Sequence, residues 1–186
     1  KQMKKRVIAI LVMVTMLFSL VSTCYATDNP NIGVGLYPGT SEANTITVEC
    51  STMSKLNPIL MTYNTELSMA RHLWDSLVKL DADNNIIPGA AESWTTSDDS
   101  LTWTFKIREG MKWVNSAGEA VADVTAYDFE FGFKQLLDPE VAAEYYYMAS
   151  IFKNADAYYA YMSGESDVEV TWDEVGIKAL DDYTLE

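Results

Sequence analysis

Few side chains in this 186-residue sequence have the types and spacing to do chemistry, and most of those few can be dismissed. The only histidine is His72. A zinc site needs further His, Cys or acidic ligands at set spacing, and none lies near it. A Ser-His-Asp constellation needs a nucleophile held beside the imidazole, and nothing fixes one. His72 therefore reads as structural. Asp98–Asp99 and Asp181–Asp182 lie in polar turns, where carboxylates cap backbone. "GVG" at 33–35 lacks the third glycine and the preceding strand of a dinucleotide loop. The sequence thus predicts no catalytic residue, no metal site and no cofactor. Tyrosine is the remaining lead, in "EYYYM" at 144–148 and "YYAY" at 158–161. A tyrosine offers a stacking face and a hydroxyl, which suits recognition of peptides or sugars. The competing reading is that these rings pack a helix–sheet seam.

The first 26 residues read as an export signal. Lys4, Lys5 and Arg6 precede the apolar run "VIAILVMVTMLFSLV" at 7–21, whose 15 residues fall short of the roughly 20 that span a bilayer. Two processing sites compete. "VSTC" at 21–24 resembles a lipoprotein box in which Cys24 is acylated, although Thr23 replaces the usual small residue. "CYA" at 24–26 would instead be cut after Ala26. Either way Cys50 is left alone, and no internal disulfide is expected. Cys50 reads as a small buried hydrophobe.

The elements behind these residues follow from periodicity and punctuation. Residues 27–43, with Gly33, Gly35, Pro38 and Gly39, form a tether. "NTITVEC" at 44–50 alternates as a half-buried strand. After Pro58, Asn64 is placed as an N-cap, and Leu67, Ala70, Leu73, Trp74, Leu77 and Val78 fall on one helical face. "DADNN" at 81–85 and "TTSDDS" at 95–100 are turns around the strand-like "IIPGAAESW". "LTWTFKIREGMKW" at 101–113 alternates Leu101, Trp103, Phe105 and Ile107 against polar partners. Thr125 and Asp128 make a capping pair for a helix carrying Phe129, Phe133, Leu136 and Leu137, which ends at Asp138 before Pro139. Residues 141–163 read as helical, and 175–186 as a hairpin turning at Asp181–Asp182.

Composition bounds the class. With 48% hydrophobic residues the chain can build a core. Its formal charge is −14, and all four basic residues at 1–6 belong to the export segment, which leaves 9 basic against 27 acidic residues. Phosphate repels such a body, so nucleic acid is excluded as a partner. An incomplete final strand predicts the N-terminal portion of a longer polypeptide.

"LNPIL" at 56–60, "RHLWDSLVKLDADNNIIPGAAESW" at 71–94, "WTFKIREGMKWVNSAGEAVADVTAYDFEFGFKQLLDP" at 103–139 and "GIKALDDYTLE" at 176–186 together resemble extracellular solute-binding protein family 5. These are the oligopeptide- and dipeptide-binding components of ABC importers. Asn57 and Ser76 depart from the family's usual Asp and Gly. The resemblance implies an α/β, type II periplasmic-binding-protein-like fold, truncated, so that this portion is mixed α+β. Residues 44–74 and 166–186 would belong to a first lobe and 75–165 to an extra lobe. It implies ligand contacts at Thr62, Tyr63, Asn64 and Tyr145, a core role for Trp103, Phe105, Trp113 and Phe129, and binding with lobe closure instead of catalysis. The implied partners are a peptide and the permease subunits of the importer. The protein would be a monomer, exported to the periplasm or the outer membrane face, with membrane contact through a lipid on Cys24. Two alternatives stay open: a nickel- or haem-binding relative of the same family, and a secreted glycan- or cell-wall-binding module.

Overall fold

A computed structural model describes residues 52–186. The export segment with Cys24, the tether, and the strand ending at Cys50 lie outside the described residues. The chain enters through a loop closed at Pro58, where the Asn57 side chain accepts the Ile59 N–H at 3.0 Å. Helix α1 (Asn64–Leu73) follows. Its N-cap is Tyr63, in extended conformation, and Asn64 is already the first helical residue, one position inside the expected cap. The helix is also shorter than its apolar pattern. Trp74 turns extended at φ −132°, and Val78 joins β1 (Val78–Leu80). The Asp81 turn explains the change. Its carboxylate accepts the Asp83 and Asn85 N–H groups at 2.9 and 2.8 Å. Asn84 takes the left-handed conformation at φ 63°. That turn returns the chain into β2 (Ile86–Pro88), antiparallel to β1.

Strands β3 (Ala91–Thr96) and β4 (Trp103–Ile107) form a hairpin around the 97–102 turn. There the Asp99 carboxylate accepts from the Ser97 hydroxyl and the Leu101 N–H. A third hairpin, a two-stranded sheet of its own, pairs β5 (Lys112–Val114) with β6 (Ala120–Asp123), and Lys112 and Asp123 form an ion pair across it. Helix α2 (Ala126–Leu136) begins at the expected capping box. The Asp128 carboxylate accepts the Thr125 N–H at 2.7 Å. The helix stops two residues before Asp138. The tyrosine-rich stretch is not one helix. Left-handed Ala142 (φ 52°) and Asn154 (φ 60°) divide it into a 3₁₀ turn (Tyr146–Ile151) and helix α3 (Ala155–Met162). Asn154 is held there by donating from its side chain to the Glu174 carbonyl at 2.9 Å.

The final hairpin, β7 (Ala179–Asp181) and β8 (Thr184–Leu185), joins β3 and β4 in one antiparallel sheet of order β3-β4-β8-β7. Helix α2 packs on β7 and β8. The Glu130 carboxylate, from α2, accepts the Trp172 indole N–H at 2.7 Å and the Ala179 N–H at 2.8 Å. Ile107, Leu137, Val175, Ile177 and Leu185 are almost fully buried, each stabilising the fold by about 1.5–3 kcal/mol. Ala91, Ala126, Ala149 and Ala155 have no exposed surface, so the backbones of sheet, helices and 3₁₀ turn approach closely. The expected aromatic core is only partly realised. Phe105 and Phe129 are half-buried against this cluster, Trp103 is half-buried outside it, and Trp113 is exposed on β5. The β5–β6 hairpin packs on no core face, and all of its strand residues are exposed.

Candidate functional site

The residues at 62–64 sit on a loop whose shape is set by a buried carboxylate. Glu66, the third residue of α1, is 1% exposed. One carboxylate oxygen accepts from the Ser54 N–H (3.0 Å), the Ser54 hydroxyl (2.7 Å) and the Lys55 N–H (3.0 Å). The other accepts from the Thr62 N–H (3.2 Å) and, at 3.5 Å, the Tyr63 N–H. One side chain thus ties residues 54–55 to residues 62–63. The Ser54 hydroxyl, supported by the Thr62, Ser54 and Lys55 N–H groups, outweighs the upward push of burial and holds the carboxyl at about 2. Sequence reading missed this residue. The available signal was an acid three residues beyond an extended helix cap, a position whose carboxylate reaches back to free N–H groups.

On that frame Met61 points inward at 1% exposure, Thr62 is half-buried, and Tyr63 (66% exposed) and Asn64 face solvent. Tyr145 reaches the same loop from 83 residues away, and its hydroxyl donates to the Thr62 carbonyl at 3.2 Å. The structure therefore brings the four residues expected at the ligand site into one neighbourhood. Behind Tyr145 the other tyrosines make a stack. Tyr146 lies flat on Tyr159, with centroids 3.9 Å apart and planes 9° apart, and Tyr147 is edge-on to both Tyr145 and Tyr146. Burial raises the Tyr158 and Tyr159 hydroxyls above their ordinary value, as for rings packed in a seam. Tyr158 and Tyr159 pack, whereas Tyr147 is exposed and Tyr145 borders the loop.

Away from this loop, a concavity lies on one face of the four-stranded sheet. Trp94, Trp103, Phe105, Phe133, Phe152 and Leu185 are among the side chains around a cavity of about 700 Å³. Trp94 and Trp103 each lie 6.5 Å from Phe105, centroid to centroid, and Phe133 meets Phe152 edge-on at 4.9 Å. The aromatic face of β4 is therefore neither a sealed core nor a flat platform. Its Ile107 end is buried, and its Trp103 end opens on the cavity.

Nothing in these two sites aligns a nucleophile with a base. His72 is exposed in the last turn of α1, where a basic side chain complements the helix dipole. Among the described residues no three His, Cys, Asp or Glu side chains are grouped to hold a metal ion. No helix among them is long and apolar enough to cross a membrane.

Comparison with known proteins supplies the class. Residues 85–186 match the bacterial extracellular solute-binding proteins, family 5, middle section. The chain belongs to this family, which is one of solute-binding proteins and not of enzymes. Among its relatives, the oligopeptide-binding protein AmiA of Streptococcus pneumoniae serotype 4 is 44% identical over 112 residues, 60% of this chain and 16% of AmiA. The oligopeptide-binding protein AliB of the same organism is 37% identical over 139 residues, 75% of this chain and 20% of AliB. The chain thus spans about a fifth of the length of these relatives. The crystal structure of Haemophilus influenzae OppA in complex with RPPGFSPFR superposes with a TM-score of 0.57 at 36% identity, covering 70% of this chain and 23% of OppA. Listeria monocytogenes OppA bound to peptide superposes at 0.61 and 30%, covering 74% and 25%. The described residues therefore have the fold of a section of OppA-type periplasmic binding proteins, mixed helix and sheet.

Proposed function

We propose that this chain is part of a solute-binding protein that captures peptides outside the membrane and delivers them to the permease subunits of an ABC importer. The observation that carries the reading is family membership over residues 85–186, with relatives named for oligopeptide binding and a solved neighbour named as bound to peptide. The ligand surface is Thr62, Tyr63, Asn64 and Tyr145. The exposed Tyr63 ring and the Asn64 amide face solvent beside a loop held rigid by Glu66. Extended peptides suit such a surface, because backbone pairing gives affinity while side chains stay in roomy, wet pockets. Residues 44–74 and 166–186 contribute to a first lobe and 75–165 to an extra lobe. Ligand touching two lobes favours the closed state, which the importer reads. Residues 1–26 direct export of a monomer, with Cys24 either acylated as an anchor or removed.

The test is parallel capture of a peptide pool, a polysaccharide panel, nickel and haem by the full-length exported protein. Selective retention of peptides is expected. Retention of polysaccharide, nickel or haem in preference to peptides would overturn the reading. Intact mass of the exported protein separates a lipid on Cys24 from a start at Thr27.

A further inference from the structure

An extended ligand gains affinity from a loop by pairing with it as strands pair, through N–H and C=O groups that face each other across the gap. Every residue at 62–64 has spent at least one of those groups. The Thr62 N–H donates to Glu66 Oε2 at 3.2 Å, and the Thr62 carbonyl accepts the Tyr145 hydroxyl at 3.2 Å. The Tyr63 N–H also turns to Glu66 Oε2, at 3.5 Å, and the Tyr63 carbonyl accepts the Leu67 N–H at 3.0 Å. Asn64 is the first residue of α1, so its carbonyl points along the helix to the N–H four residues on. Within 62–64 only the Asn64 N–H stands outside this arrangement, as one of the donors that a helix start leaves without an intrahelical acceptor. Glu66 and Tyr145 thus fix the loop by consuming the same groups that a ligand's main chain would need.

The Asn64 side chain is left over. It is exposed, and its carboxamide makes no hydrogen bond among the described residues. A carboxamide holds a carbonyl acceptor and an N–H donor in one plane, the same pair that a peptide unit carries. Its neighbours offer less. The Thr62 and Tyr63 hydroxyls each place donor and acceptor on a single rotating oxygen, which cannot meet an N–H and a C=O side by side. Thr62 is also half-buried. Asn64 is therefore the one residue of this loop that can still present a peptide-like edge to a ligand.

We propose that the Asn64 carboxamide is the group through which this loop reads a ligand's main chain. Its Nδ2–H donates to a ligand carbonyl and its Oδ1 accepts a ligand N–H, in place of the loop peptide groups that Glu66, Tyr145 and the helix occupy. The ligand class that fits is an extended peptide with an unsubstituted N–H at the paired residue. Proline is refused there because it has no N–H to give. The side chain of the paired residue is not read, so one loop accepts many sequences. The inference rests on the peptide reading above and gives Asn64 a role within it.

The full-length exported protein is offered a random pentapeptide pool and four matched pools, each N-methylated at one peptide bond. Methylation at the paired residue should weaken binding to wild type. Asn64→Ala should bind the unmodified pool roughly fivefold to tenfold more weakly, with the same side chains represented among the retained peptides. It should also erase the methylation penalty at that one position and leave any others. Asn64→Asp keeps the acceptor oxygen, so the penalty should persist in it. A residue that only supports the helix start would weaken every pool alike; an identical pattern of penalties in wild type and Asn64→Ala would therefore overturn the proposal. So would a change in the side chains retained by Asn64→Ala, which would make Asn64 a reader of side chains. Retention of no peptide by wild type would remove the peptide reading itself, and this inference with it.

Discussion

Glu66 and Tyr145 are the side chains that hold the loop at 62–64, and they act by different physics. Glu66 is ionised and buried, with its lone pairs filled by Ser54, Lys55, Thr62 and Tyr63. Its carboxyl lies at about 2 in the folded chain against an ordinary 4.5. A carboxylate depressed on folding contributes stability that is complete above the unfolded value and is lost as pH falls. The loop should therefore loosen progressively from pH 4.5 towards pH 2. Glu66→Gln should melt lower than wild type at pH 7 and lose much of that acid dependence, as read by circular dichroism melts across this range. An unchanged acid profile would remove Glu66 from the account. Tyr145 contributes one neutral hydrogen bond to a backbone carbonyl. Tyr145→Phe should cost about 0.5–1.5 kcal/mol in urea unfolding while leaving the fold intact.

Among the elements, the junction from α1 into the sheet is the most sterically constrained. The N–H groups of Gly89 and Ala91 donate to the Leu77 carbonyl, and the Ala90 N–H donates to that of Ser76. A β-carbon on Gly89 would stand 2.3 Å from the Ser76 carbonyl oxygen, a backbone atom that cannot swing aside. Gly89→Ala should therefore destabilise by about 1–3 kcal/mol in chemical unfolding, with disturbance centred on β1–β2 and β3. The glycine reads in the sequence only as a break after Pro88. That another stretch of chain lies against it belongs to the tertiary structure. The capping box of α2 is the opposite case, because Thr125 and Asp128 are three residues apart and their bond is local.

For the molecule as a whole, the proposed ligand surface is single-sided. Tyr63 and Asn64 are exposed, and no second wall faces them among the described residues with which a peptide could be enclosed. The 186-residue chain should then bind peptides at this surface only weakly, since affinity comes from enclosure between two rigid bodies. Calorimetry giving micromolar affinity, with amide protection at Thr62, would show that closure is unnecessary.

Local patterns carried the reading far. The turns at Asp81 and Asp99, the Thr125 cap, the β3–β4 hairpin and the final hairpin were legible because each rests on residues within a few positions. So was the family, since the run from Trp94 to Pro139 is distinctive. The errors share one cause. Apolar residues at 74–78 continue a helical pattern, but β1 gains pairing with β2 that no helix could offer. The tyrosine stretch lacks any local breaker, yet Ala142 and Asn154 turn left-handed where the chain must pack back on itself. Trp113 alternates like a core residue although its hairpin meets no opposing layer. Burial of Glu66 and the 83-residue reach of Tyr145 depend on which segments meet in space. Periodicity states that a face is apolar; only long-range packing decides what covers it.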